Sequence, residues 1–174
     1  SVGAMMVLLP MTFAILYYIT SKKVFTKIAS SIVFVELIIV AMTSIGDAGL
    51  YKEWNAKINM QALVHFKNPL EVVHTVSNQL IFFYIVLVSL IVIPSYVLYN
   101  KKIQTIIHHF SFDTLQKRIS IGLTYFLIAT GIGIITIRGG ITNMPINQSI
   151  AYFSNDVLAN DIAVNPLYNL LQDA

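Results

Sequence analysis

The chain has 174 residues, of which 56% are hydrophobic and only 11% charged, with a net charge of +3 and no cysteine; its mean hydropathy is +0.74. A soluble domain carries roughly 25% charged residues, so this chain has too few to cover a globule, and the class is a polytopic membrane protein. The small basic excess sits at the ends of apolar runs, where it sets topology rather than binding nucleic acid. Zero cysteine excludes a disulfide framework and thiolate metal sites.

Four apolar runs are long enough to be read as spans, at about residues 2–20, 28–46, 80–99 and 119–137. The expected fold is therefore an all-α membrane bundle. The chain opens at Ser1-Val2-Gly3 already inside the first run, which reads as a segment of a longer protein. Pro10 and Pro94 interrupt the first and third spans, a feature membrane helices tolerate when neighbours re-satisfy the freed carbonyl. Glu36 interrupts the second, which is expected to end at Gly46-Asp47.

Charge bias predicts the orientation. The segments 21–27 and 100–118 hold seven basic residues, whereas the 47–79 loop and the C-terminal tail hold four, namely Lys52, Lys57, Lys67 and Arg138. The two richer segments should face the cytoplasm, leaving 47–79 and 138–174 outside. The first span then enters from outside, and one further helix before it would restore an inside N-terminus.

Within 47–79, Trp54, Ile58, Ala62, Leu63 and Phe66 recur at helical spacing, the pattern of a short helix in the interface or on the bundle. Asn68-Pro69-Leu70-Glu71 reads as a capped helix start running directly into the third span. On the other side, Ile103, Ile106, Ile107 and Phe110 also have helical spacing, and Asp113 with Gln116 forms a capping pair before the fourth span. That span carries Gly122, Ala129, Gly131 and Gly133, a small-residue face suited to close helix contact. After Arg138 the chain becomes polar. Ser154 is placed to cap a helix over 156–163, and Asn165-Pro166 to start another with Leu167, Leu170 and Leu171 on one face.

The exit segment contains Arg138-Gly139-Gly140, Pro145-Ile146-Asn147, Ala151-Tyr152-Phe153-Ser154 and Asn165-Pro166-Leu167-Tyr168-Asn169-Leu170. These motifs, over about 35 residues, resemble the membrane exit of the lipoteichoic acid synthase-like phosphoglycerol and phosphoethanolamine transferases of the alkaline phosphatase–sulfatase superfamily. Asp47 and Tyr51 resemble a D-x-x-x-Y that follows an equivalent helix there. The resemblance implies a five-span parent in a bacterial cell (inner) membrane. Its extracytoplasmic catalytic domain would lie beyond Ala174, with a threonine nucleophile and a manganese-like divalent metal. In that reading 1–137 is the bundle and 138–174 the linker. The partners are membrane phospholipids and the catalytic domain, and this segment itself holds no catalytic residue and no cofactor.

Few residues invite chemistry of their own. His108-His109 lacks further ligands within reach. Glu36, near mid-bilayer, should face the bundle or a wet cavity, either as a functional carboxylate or as a neutral group hydrogen-bonded to a neighbouring helix. Arg138, Asp47, Tyr51 and Lys57 are the candidate lipid-headgroup contacts, because a guanidinium fork suits a phosphate at the headgroup plane. For Arg138 the alternatives are snorkelling or a salt bridge to Asp47. The rival functions are a transporter or channel subunit, for which an internal repeat is not seen, and a membrane scaffold or sensor domain.

Overall fold

The computed structural model describes residues 2–54, 57–59, 77–109, 114–138 and 148–172. Among them the regular structure is entirely helical. Four long helices, α1 (Val2–Thr20), α2 (Lys23–Trp54), α3 (Asn78–His109) and α4 (Leu115–Arg138), are followed by a 3₁₀ turn (Gln148–Ala151) and two short helices, α5 (Val157–Ala163) and α6 (Pro166–Gln172). Among the described residues three apolar stretches are long enough to cross a membrane: Lys23–Tyr51, Asn78–Ile103 and Leu115–Arg138. The Lys23–Tyr51 stretch alone is about 44 Å long at 1.5 Å per residue, against about 30 Å of hydrocarbon. In α1, 19 residues long, the stretch Met6–Thr20 is also apolar, and it neither adds the expected fourth span to the three nor removes it. Large apolar side chains along the spans, among them Leu80, Phe82, Leu90, Leu98, Leu127 and Ile132, are exposed, as expected where lipid is the solvent.

The helices overrun the spans expected from hydropathy. Helix α2 does not stop at Gly46-Asp47 but continues to Trp54, because the carboxylate of Asp47 is neutralised and hydrogen-bonded, as described below. Helix α3 continues through the basic segment to His109, and the first two helices are separated only by Ser21 and Lys22. Ser77 is non-helical and accepts from the Leu80 and Ile81 amides, so α3 starts at its own cap. The residues 60–76, the capping pair's Asp113 and the Gly139–Asn147 connection lie outside the described residues, as do the side chains of Lys52, Trp54 and His108-His109.

The chain forms two compact units. The first comprises Ser1–Leu37 and Pro94–Ile146. Here α1 packs along α4. A Cβ on Gly122 would lie 2.8 Å from the Ile19 side chain, and one on Gly133 would lie 2.8 Å from Leu8. The two contacts run in opposite chain directions at the same separation, so the helices are antiparallel and each glycine receives one branched side chain. Gly131 has open space around it; of the three glycines, Gly122 and Gly133 make the close contacts. Helix α1 ends at Ser21, which adopts φ 57° and donates its amide to the Tyr17 carbonyl at 2.7 Å, a left-handed cap on a non-glycine residue. Arg118 completes this cap, donating Nε and Nη2 to the Tyr18 carbonyl at 2.9 and 2.7 Å and Nη2 to the Ser21 hydroxyl. Helices α2 and α3 meet in the same unit through Ser30 Oγ, which donates to Asn100 Oδ1 at 3.1 Å, and through the rings of Phe34 and Tyr96, 4.9 Å apart.

The second unit comprises Ile38–Ile93 and Asn147–Ala174. Its helices α2 and α3 are joined where the Tyr84 hydroxyl donates to the Met42 carbonyl at 2.7 Å. Such hydrogen bonds hold membrane helices together where no hydrophobic difference between lipid and side chain exists.

The glycine contacts generate a direct test. Gly133→Leu and Gly122→Leu should separate α1 from α4 and lower stability in detergent by about 1–3 kcal/mol, the usual cost of overpacking. Gly131→Leu, which meets nothing, should melt like the parent. Thermal unfolding of the three purified variants checks the contrast.

Candidate functional site

The polar residues of the second unit converge on one cation. Asp47 and Tyr51 lie one turn apart on α2, so both face the same side. Lys57 follows the end of that helix, in the irregular segment 57–59. Its ammonium lies 3.4 Å from Asp47 Oδ2 and donates to the carbonyls of Asp161 and Val164, each at 2.6 Å. The two side chains of the ion pair are nearly buried, 9% exposed for Lys57 and 12% for Asp47. Three donors therefore meet three oxygens, the condition under which a buried ammonium is tolerated.

The remaining lone pairs and donors are also engaged. Asp47 Oδ1 accepts the Ile58 amide at 2.7 Å, the Ile58 carbonyl accepts from Asn169 Nδ2 at 2.7 Å, and the Tyr51 hydroxyl donates to Asp161 Oδ2 at 3.1 Å. Because both backbone groups of Ile58 point sideways to these partners, this residue does not sit in the interfacial helix that its spacing suggests. Its side chain is instead buried against Leu170 and Leu50.

The short helices carry the acceptors into place. Helix α5 is capped by Asp156, whose Oδ1 accepts the Leu158 amide at 2.9 Å. Ser154, the expected cap, instead accepts the Asp156 amide through Oγ at 3.1 Å. Asn160 ties the preceding turn to the helix, accepting from the Phe153 and Ser154 amides at 2.9 Å and donating to the Ser154 carbonyl at 2.7 Å. The C-cap is Val164, and Lys57 binds its carbonyl, a cation at the negative end of a helix. Helix α6 starts as expected, with Asn165 Oδ1 accepting from Leu167 and Tyr168 at 3.0 and 3.2 Å and Pro166 at the first helical position. Leu170 is buried but Leu171 is 57% exposed, so the two do not share a face.

Of the five candidate residues, Asp47, Tyr51 and Lys57 are thus brought together, and protein groups occupy their polar atoms. Arg138 is exposed at the last residue of α4 and belongs to the first unit. Glu36 is half-buried on α2. Asp161, Asn160 and Asn169 were not among the sequence candidates. Asp161 stands 110 positions from Tyr51 and 104 from Lys57, and no local pattern marks it. Among the described residues no three His, Asp or Glu side chains gather as metal ligands.

Together, the apolar helices and the closed polar cluster define an all-helical membrane protein whose tail is fastened to the end of a span. No family model, curated protein or solved structure matches the chain.

Replacing Lys57 by Met leaves the Asp47 carboxylate buried without its cation, and should cost about 3–5 kcal/mol. Hydrogen exchange of α5 and α6 should accelerate in this variant. Adding Asp47→Asn should restore part of the protection, because the uncompensated charge is then gone.

Proposed function

We propose that the chain is the membrane-anchoring part of a bacterial lipoteichoic acid synthase-like transferase, which moves a phosphoglycerol or phosphoethanolamine headgroup from a phospholipid to an envelope glycan or polymer. In this reading α1, about 28 Å long over 19 residues, serves as a fourth span beside α4. The ends of α2 and α4 near Tyr51 and Arg138 face the outside of the cell membrane. The observation that carries the reading is the fate of the motif residues. Asp47 and Tyr51, together with Asn165, Pro166, Asn169 and Leu170, are the residues that start α6 or fasten it and α5 to the end of α2. A domain carried after α6 would then stand at a fixed height above the leaflet. Catalysis, and the divalent metal it uses, belongs to that domain.

The candidate headgroup residues divide accordingly. Asp47, Tyr51 and Lys57 act by positioning, whereas the exposed guanidinium of Arg138 is available to a lipid phosphate as a planar fork.

Two measurements test this. Membranes from cells expressing the full gene should release diacylglycerol from fluorescent phosphatidylglycerol or phosphatidylethanolamine in a manganese-dependent reaction; no release defeats the reading. Within that assay Arg138→Lys should lose about tenfold, the worth of one charged hydrogen bond, and Arg138→Ala at least as much. Because the chain lacks cysteine, Lys101→Cys reports topology directly. It should resist an impermeant maleimide in intact cells and react after permeabilisation.

A further inference from the structure

The cluster around Lys57 has one face the anchor does not use. On α5 and the turn before it, Phe153 is 76% exposed, Ile162 74%, Val157 69%, Tyr152 51% and Leu158 45%. This is a concentration of large apolar and aromatic surface on a short segment outside the three spans. A patch of this kind in water marks a binding surface. What covers it follows from where it is tied. Asp161 of α5 accepts a hydrogen bond from the hydroxyl of Tyr51, one turn beyond Asp47, which stands 20 residues or about 30 Å along α2 from Lys27, one hydrocarbon thickness. The end of α5 is bonded to Lys57, six positions beyond Tyr51. A seven-residue helix is only about 10 Å long. Lys57 also pairs with Asp47, so the Asp161–Val164 end of α5 is held within about two turns of the level at which the span leaves the hydrocarbon. The headgroup zone on each side of a bilayer is about 5–8 Å deep, and this end of the helix is tied at that level.

We infer that α5 and the Tyr152-Phe153 turn form a lipid-seated foot, with Phe153, Val157, Leu158 and Ile162 inserted at the boundary between headgroups and acyl chains. Leu158 and Ile162 lie one turn apart and opposite Asn160, whose side chain is spent on the preceding turn, while Asp161 is spent on Tyr51. That leaves the apolar residues as the surface presented outward, the division an interfacial helix requires. The aromatic pair suits the headgroup level, where rings are favoured. The foot depends on the chain being a membrane protein and not on its being part of a transferase, so loss of the headgroup-release assay would leave it standing.

The test uses single cysteines introduced at Ile162, Phe153 and, as a polar reference, Asn155, which is also exposed. Each is spin-labelled in the full-length protein, reconstituted in nanodiscs of phosphatidylethanolamine and phosphatidylglycerol. Collisions with oxygen, which concentrates in lipid, are compared with collisions with a water-soluble nickel chelate. The Ile162 and Phe153 labels should favour oxygen and the Asn155 label the chelate. Combining Ile162→Cys with Lys57→Met should shift the Ile162 label toward the chelate, because the tie that sets its depth is cut. Labels at Ile162 and Phe153 that favour the chelate would overturn the proposal. So would labels shielded from both reagents, since protein, whether a second copy or another domain, would then cover the face.

Discussion

A helix that ends near a membrane surface leaves carbonyls without partners, and in both units a cation from a distant segment supplies them. Arg118 closes the end of α1 through the Tyr18 carbonyl, and Lys57 closes the end of α5 through Asp161 and Val164. Orphan carbonyls at a C-terminus carry the negative end of the helix dipole, so a guanidinium or ammonium contributes both hydrogen bonds and charge complementarity there. Lys57 does more than cap. Its third oxygen belongs to Asp47, and Asp47 in turn takes the amide of Ile58, so one buried ammonium ties together α2, the segment after it and the tail.

This arrangement changes how the basic residues of such a chain are to be read. A count of lysines and arginines treats each as a free charge answering to the membrane potential and to lipid. Arg118 and Lys57 are spent on backbone oxygens, and among the described residues the exposed lysines Lys22, Lys23, Lys27, Lys101, Lys102 and Lys117 all belong to the first unit.

Packing between the long helices follows membrane rules rather than those of a soluble core. Few large side chains are buried, and contact relies on missing side chains at Gly122 and Gly133. It also relies on single hydrogen bonds, such as those of Tyr84 with Met42 and Ser30 with Asn100. Lipid competes with leucine for every apolar surface, so only a close approach or a polar pair distinguishes helix from bilayer.

Hydropathy alone determined the all-helical membrane class and the positions of α2, α3 and α4, because the burial of apolar runs in lipid needs no tertiary partner. Local chemistry determined the start of α6, where Asn165 and Pro166 act within one turn. The ends of the helices were not legible. Asp47 reads as a terminator while its charge is considered alone, yet α2 runs past it because Lys57 and the Ile58 amide take up that charge. Ile58 has helical spacing but an irregular backbone, since its amide and carbonyl are claimed by residues 11 positions before it and 111 after it. Asp161 and Asn169 acquire their roles only once the tail folds back onto the end of α2. A hydrogen bond between segments a hundred residues apart leaves no periodic trace in the chain, and tertiary structure alone decides it.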